Sequence, residues 1–99
     1  MSTTYTELEL TALRVLADAP AGRGWALHEI GEKVAAVRGL EQHQLLTAQA
    51  RARYAGQILW RARMQRLWCQ DRYDGRLGGC FLTDEGQAVV RAHRAEATP

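Results

Sequence analysis

The sequence has few cysteines, a single lysine and no long apolar run. Its 99 residues include two cysteines, Cys69 and Cys80, which are too few for a disulfide scaffold. No apolar run approaches the ~18 residues that a membrane-spanning helix needs. The polar, acidic N-terminus also differs from a signal peptide. We therefore expect a cytoplasmic protein with reduced thiols and no membrane association.

Catalytic and metal-binding patterns are missing as well. No Ser, His and Asp set lies within reach, no Gly-rich phosphate loop follows a strand, and no paired carboxylates share a pocket. The three histidines, His28, His43 and His93, are isolated and lack ligand spacing. The sequence thus predicts no enzyme, no metal site and no cofactor.

The charge of the chain is unevenly distributed. The length fits one domain, residues 1–99, with an ordered core over about residues 5–94. The net charge is only +2, yet residues 51–76 carry seven arginines against two aspartates, a net charge of +5. Residues 1–50 have a net charge of −2 and residues 77–99 of −1. A positive field confined to one stretch is typical of a surface that meets phosphate.

Two amphipathic helices are predicted in the first half of the chain. The first begins at Thr6 with a capping box, ends at Pro20 and Gly22, and turns inward Leu8, Ala12, Leu13, Leu16 and Ala17. The second runs from about Ala26 to about Val37, ends at Gly39, and buries Leu27, Ile30, Val34 and Val37. Residues 39–47 are then a loop, a short helix or an extension of either neighbour.

A third helix is predicted from Thr47 to about Arg66. Its inward stripe, at about 100° per residue, consists of Ala48, Ala52, Ala55, Ile58, Leu59 and Ala62. The opposite side presents Gln49, Arg53, Gln57, Trp60, Arg61 and Met64, with Tyr54 at its margin. Gln and Arg are the side chains that read base edges in a major groove. An exposed Trp beside a Met more often marks a protein contact.

A hairpin follows, with strands at residues 67–73 and 76–82. Asp74-Gly75 is the preferred two-residue turn. The turn fixes a register in which Tyr73 faces Arg76, Arg72 faces Leu77, Cys69 faces Cys80 and Trp68 faces Phe81. Gly78 and Gly79 are expected to weaken or bulge the return strand. Arg72 and Arg76 lie near the tip, where a wing would meet phosphate or a minor groove.

The same register bears on the cysteines and the aromatic residues. Cys69 and Cys80 are either a redox switch or two small buried hydrophobes. Trp68 and Phe81 share one hairpin face, and Cys69, Cys80 and Leu82 share the other. Because both faces are apolar, part of the hairpin should be covered. A last helix opens at Thr83 and turns Ala88, Val89 and Ala92 inward.

The order helix, helix, helix, hairpin, helix resembles the winged helix-turn-helix fold of bacterial transcription regulators, in particular the MarR-like and PadR-like families. Three segments carry the resemblance: GWALHEI, ILWRARMQRLW and CFLTDEGQAVV. The last of these is similar to the family pattern of a strand ending in Leu-Thr, followed by an acidic residue and Glu-Gly. The resemblance implies binding to double-stranded DNA, usually as a homodimer on a palindrome.

The sequence therefore predicts a mainly α fold with a small β-hairpin, in the order α-α-α-β-β-α. The predicted function is that of a DNA-binding transcription regulator, a small homodimeric repressor. The predicted DNA contacts are Gln49, Arg53, Tyr54, Gln57, Arg61, Arg72 and Arg76. The alternative is a winged-helix protein-interaction module, such as a phage or host adaptor, whose partner binds Trp60, Met64, Trp68 and Phe81.

Overall fold

The helices and strands follow the predicted order. The computed structural model describes residues 4–20, 22–40, 45–73 and 76–97. Its elements are α1 (Glu7–Ala17), α2 (Leu27–Arg38), α3 (Ala48–Leu59), a 3-10 turn (Ala62–Met64), β1 (Trp68–Tyr73), β2 (Arg76–Leu82) and α4 (Asp84–Ala97). The two strands pair antiparallel. This is the winged helix-turn-helix architecture, which confirms the predicted fold class. Among the described residues, no helix is long and apolar enough to cross a membrane.

The predicted capping residues begin or end the helices as expected. The Thr6 hydroxyl accepts from the Glu9 amide at 3.2 Å, and the Thr6 amide donates to the Glu9 carboxylate at 2.8 Å. Gly39 ends α2 in the left-handed region, with φ of 69°. The hydroxyls of Thr47 and Thr83 each accept a backbone amide from the first turn of the helix that follows. These local predictions are confirmed.

The hydrophobic core lies around α1, which contacts the other three helices and β2. Its buried residues come from every element: Leu10, Ala12, Leu13, Val15, Leu16, Ile30, Val34, Ala55, Ile58, Leu59, Met64, Leu67, Trp68, Cys80 and Val90. Helix α3 also crosses α2 at close range. A Cβ on Gly31 would overlap the Arg51 carbonyl, so glycine is what permits this approach. The crossing fixes the direction of α3.

Several predicted inward residues are exposed instead: Ala17, Val37, Ala48, Ala62, Ala88 and Ala92. Ala17 and Val37 lie in the last turns of α1 and α2, beyond the last core residue of each helix, and Val37 is 69% exposed. Helix α4 packs against the rest of the fold through Gly86 and Val90. A Cβ on Gly86 would overlap the Leu67 carbonyl, and this approach turns the alanines of α4 outward.

Helix α3 ends at Leu59, so the prediction that it continues to about Arg66 is wrong. Arg61 has extended backbone, with φ −62° and ψ 141°. The indole Nε1 of Trp68 donates to the Leu59 carbonyl at 2.7 Å, and the Gln65 amide donates to the next carbonyl at 3.1 Å. Carbonyls at a helix end need such hydrogen-bond donors. Side chains from beyond the helix supply them here.

The turn after α3 places Met64 in the core, and the predicted exposure of Met64 is wrong. Met64 is fully buried, and Trp68 is 7% exposed. Had the helix continued, Met64 would have shared the outer face with Arg53. Because the chain leaves the helix at Trp60 and turns, the side chain points inward instead. Two of the four predicted protein-contact residues therefore serve the core.

Glu9 is a buried carboxylate that binds two arginines from the α3–β1 connection. Arg61 Nη1 lies 2.9 Å from Glu9 Oε2, and Arg63 Nε lies 2.7 Å and 2.8 Å from the two carboxylate oxygens. The Glu9 side chain has no exposed surface, whereas the arginine side chains are 37% and 44% exposed. We call Glu9, Arg61 and Arg63 the Glu9 cluster. It ties the connection after α3 to the first turn of α1.

The environment of Glu9 favours its charged form. Burial by itself would raise the pKa of Glu9. The hydrogen bond from the Thr6 amide and those from Arg61 and Arg63 act in the opposite direction. Together they outweigh burial and lower the pKa of Glu9 from 4.5 to about 2. The folded protein therefore holds this carboxylate ionised more firmly than the unfolded chain does.

The hairpin has the predicted register at its tip but not at its base. Tyr73 pairs with Arg76 and Arg72 with Leu77, as predicted. The turn residues 74–75 lie outside the described residues. The register then shifts by one residue, because Gly78 and Gly79 of β2 lie opposite the single residue Asp71 of β1. This confirms the bulge expected at the two glycines. Beyond it, Cys69 pairs with Phe81, Gln70 with Cys80 and Trp68 with Leu82. The predicted pairings of Cys69 with Cys80 and of Trp68 with Phe81 are wrong.

The bulge separates the environments of the two cysteines. Both thiols are free, with Cys69 exposed and Cys80 buried. Burial raises the pKa of the Cys80 thiol to about 11, and Cys69 adds to the effect. The description as a small buried hydrophobe fits Cys80 alone.

Trp25, just before α2, joins the edge of the hairpin. It exchanges two backbone hydrogen bonds with Cys80, of 2.7 Å and 3.1 Å. A Cβ on Gly79 would overlap the Arg23 carbonyl, so glycine permits this approach. Gly79 thus serves close packing and also belongs to the bulge of β2, where the sequence predicted it.

We expect Gly31→Ala to lower the free energy of unfolding by about 1–3 kcal/mol, because the new Cβ would force α2 and α3 apart. Gly56→Ala is the matched control in α3. Its Cβ would lie an ordinary 3.6 Å from Trp60 Cδ1, and alanine favours a helix interior by about 0.5–1 kcal/mol. Urea unfolding followed by circular dichroism measures both. Equal stabilities would contradict the close crossing.

A second prediction concerns Glu9 and pH. Because the folded pKa is depressed, the stabilising effect is complete above about pH 4.5 and is lost as the pH falls toward about 2. We expect Glu9→Gln to lower the free energy of unfolding by about 2–3 kcal/mol at neutral pH. The difference from wild type should shrink steadily through the acid range.

The matched control is Glu32→Gln, which removes an exposed carboxylate from α2. Its effect should stay within about 0.5 kcal/mol. Urea unfolding at neutral pH and at several pH values between about 4.5 and 2 measures the difference. A Glu9→Gln penalty that is constant over this range would show that packing, not charge, makes Glu9 stabilising.

Candidate nucleic-acid interface

The outward face of α3 carries a line of three polar residues. Gln49, Arg53 and Gln57 are spaced by four residues, and all three are exposed. The opposite face holds Ala55, Ile58 and Leu59 in the core. Residues spaced by four lie on one side of a helix. The structure therefore brings together three of the predicted DNA-contact residues in a row, which we call the α3 stripe.

Tyr54 and Arg38 flank the α3 stripe. Tyr54 is half-buried and packs against the core. Burial raises the pKa of the Tyr54 phenol, and the charge of Arg38 acts in the opposite direction, which places Arg38 within electrostatic range. Sequence reasoning missed Arg38, since it counted that residue with the acidic first half of the chain. Its position in the last turn of α2 was the available signal.

Three arginines of the basic stretch have partners inside the protein. Arg51 Nε donates to the Leu45 carbonyl at 2.9 Å and so holds the segment before α3. Arg61 and Arg63 bind Glu9. Arg61 therefore lies beyond the end of α3, in an ion pair with α1, and not on the α3 stripe. The predicted line of base-reading residues stops at Gln57.

The hairpin places two more predicted residues near its tip. Arg72 lies in β1 opposite Leu77, and Arg76 lies in β2 opposite Tyr73. Their side chains are outside the described part of the chain. The backbone register alone puts both arginines next to the turn, as the sequence predicted.

The predicted aromatic surface is reduced to Trp60. Trp60 is 61% exposed, and its ring meets the buried Trp68 edge to face, with centroids 5.1 Å apart and planes at 80°. Phe81 is half-buried beside α1 and α4. Together with the burial of Met64, this leaves one exposed aromatic residue where the sequence suggested a patch.

A second cationic group surrounds Trp25. Lys33 Nζ lies 4.4 Å and Arg23 Cζ 5.4 Å from the centroid of its ring. The Trp25 Nε1 donates to the Val15 carbonyl at 3.0 Å, which fixes the ring. Arg23 also pairs with Glu29 at 3.0 Å. Sequence reasoning did not single out this group, because its members are separated along the chain and surrounded by acidic residues.

The described residues contain no group of three or more His, Cys, Asp or Glu side chains placed to hold a metal ion. The features that remain are exposed polar and cationic side chains on α3 and nearby elements. Such an arrangement can bind an anionic polymer, through charge and through hydrogen bonds from amide and guanidinium groups.

Comparison with known proteins adds little to this geometry. No protein-family model matches the chain, and no curated protein does. Among solved structures, the chain is similar to the crystal structure of SSV1 F-93, with 19% sequence identity and a TM-score of 0.49. The match covers 98% of this chain and 97% of that chain. A likeness at this level carries no argument about function, and the winged helix-turn-helix assignment stands on the element order and strand pairing described above.

Proposed function

We propose that this protein is a transcription regulator that binds double-stranded DNA through the α3 stripe. The observation that carries the proposal is the row of Gln49, Arg53 and Gln57, exposed on a helix whose other side is fixed in the core. An α-helix of ~10–12 Å diameter fits the B-DNA major groove, which is ~12 Å wide. Gln reads adenine and Arg reads guanine by paired hydrogen bonds there.

The arginines divide into two groups by role. Arg51, Arg61 and Arg63 hold the protein together through Leu45 and Glu9. Arg53 is exposed on the α3 stripe. We assign base or phosphate contact to Arg53, with Tyr54 at the edge of the stripe. Arg61 can reach DNA only with the part of its side chain that Glu9 leaves exposed.

The wing supplies the second contact in this proposal. Arg72 and Arg76 sit beside the hairpin tip by register, where they would meet the sugar-phosphate backbone next to the groove that α3 enters. Phosphate contacts set orientation and carry no sequence information of their own. The α3 stripe would therefore read bases, and the wing would fix position.

The finer identity we propose is a MarR-like or PadR-like repressor that acts in the cytoplasm as a homodimer. Two copies of one recognition helix related by a twofold axis read a palindrome, with half-sites about one helical turn apart. Occupation of such a site blocks transcription without any catalytic step. We accordingly propose a binding protein and not an enzyme.

Trp60 supports a second candidate, a protein-interaction module. It is exposed next to the end of α3, and its ring is oriented by Trp68. An oriented, exposed indole is typical of an anchor residue at a protein interface. The two candidates differ in salt dependence, since apolar contacts change little with ionic strength whereas phosphate contacts weaken steeply.

The test is fluorescence anisotropy with a labelled duplex from the region upstream of the protein's own gene, over a series of salt concentrations. We expect Arg53→Ala to weaken binding and to lower the slope of log affinity against log salt by about one. Gln57→Ala should weaken binding to the specific duplex by about 1–3 kcal/mol, with the slope unchanged.

Arg14→Gln, which removes one positive charge from α1, is the matched control and should leave the slope unchanged. Arg61→Ala should act mainly by lowering stability, because it breaks the Glu9 cluster. If Arg53→Ala and Gln57→Ala bind with wild-type affinity and slope, the α3 stripe is not the DNA surface. Binding of a protein that is insensitive to salt and lost in Trp60→Ala would favour the second candidate.

A further inference from the structure

A cavity opens on the side of the fold formed by the end of α1, the end of β2 and α4. Its volume is about 420 Å³. Leu16, Phe81, Leu82 and Val90 provide apolar walls, and Gln87, Arg91 and Arg94 contribute polar groups from α4. None of the residues of the α3 stripe lines it. The cavity is therefore a feature separate from the proposed DNA surface.

The apolar part of the cavity is built from the core. Leu16 and Val90 are 2% and 4% exposed, so the cavity reaches down to the packed interior. Its volume falls within the range of about 300–1,000 Å³ that is typical of small-molecule sites. An apolar ligand group placed there would leave water, which is favourable in proportion to the area that it buries.

The polar part of the cavity is cationic. Gln87 and Arg91 are spaced by four residues, on one side of α4, and both are exposed. Among the described residues, Arg91 has no ion-pair partner. The described lining residues include no acidic side chain. A guanidinium at the mouth of an apolar cavity is suited to a carboxylate, which it can bind through two parallel hydrogen bonds.

We propose that this cavity binds a small amphipathic carboxylate, with its hydrocarbon part against the half-buried Phe81 and Leu82 and its carboxylate on Arg91. The apolar walls favour a hydrocarbon group, and the Arg91 guanidinium favours a carboxylate, so a ligand that carries both should bind best. An inorganic anion would leave the apolar walls in contact with water. A neutral apolar molecule would make no ion pair with the Arg91 guanidinium. The binding proposal stands independently of the proposed DNA function.

The test is isothermal titration calorimetry of the full chain with three probes: octanoate, octanamide and acetate. Octanoate carries both the chain and the charge, octanamide only the chain, and acetate only the charge. We expect saturable octanoate binding at millimolar concentration or below, about ten-fold tighter than octanamide. Acetate should show no saturable binding.

Three variants locate the binding. Arg91→Gln should weaken octanoate about ten-fold and leave octanamide unchanged. Ala17→Phe, at an exposed lining position in the last turn of α1, should fill the mouth and abolish binding of both. Arg66→Gln, which removes an exposed arginine outside the cavity, is the matched control and should bind octanoate like wild type. Thermal unfolding establishes that each variant is folded.

Three outcomes would overturn the proposal. The first is no saturable octanoate binding to wild type. The second is equal weakening by Arg91→Gln and Arg66→Gln, which would mean that net charge alone attracts the acid. The third is self-association in sedimentation equilibrium that Ala17→Phe abolishes, since the cavity would then be covered by a second copy of the chain.

Discussion

The ion pairs of Glu9 with Arg61 and Arg63 constrain the rest of the structure. A buried carboxylate is costly unless it is paired and hydrogen-bonded, and Glu9 satisfies both conditions with partners more than fifty residues away. The same carboxylate closes the capping box that begins α1. One side chain thus sets the start of the first helix and the path of the chain after the third. The position of the wing relative to α3 follows from that path.

Close backbone approaches complete the frame in which α3 is held. Gly31 lets α2 and α3 cross, and Gly79 lets the loop before α2 reach β2. Trp25 and Cys80 join these parts by two backbone hydrogen bonds. These contacts lie on the side of α2 and α3 that faces the core. The outer side of α3 can therefore carry polar residues without destabilising the core. A rigid helix with a polar outer face is what groove recognition needs.

Features governed by neighbouring residues were predictable from the sequence, and those governed by distant ones were not. The Thr6 capping box, the Gly39 helix end and the register next to Asp74-Gly75 depend on residues within a few positions. The end of α3 depends on Trp68 and Glu9, which lie outside the helical pattern, so periodicity extended the helix too far. That single error moved Arg61 onto the α3 stripe and Met64 onto the surface. The bulge at Gly78 and Gly79 was expected from the two glycines, but the partners of Cys69 and Trp68 were predicted as if the return strand were regular.

The same reasoning changes how the basic stretch is interpreted. Counted along the sequence, residues 51–76 form one cationic segment of net charge +5. In the fold, Glu9 neutralises part of that charge from outside the segment, and Arg51 is held by a backbone carbonyl. Arginines bound within the fold and an exposed arginine, Arg53, therefore occur in one run. The charge of a segment estimates its attraction to phosphate only after the arginines that serve the fold have been set apart. For this chain that leaves Arg53, rather than the whole run, as the residue on which the α3 stripe depends.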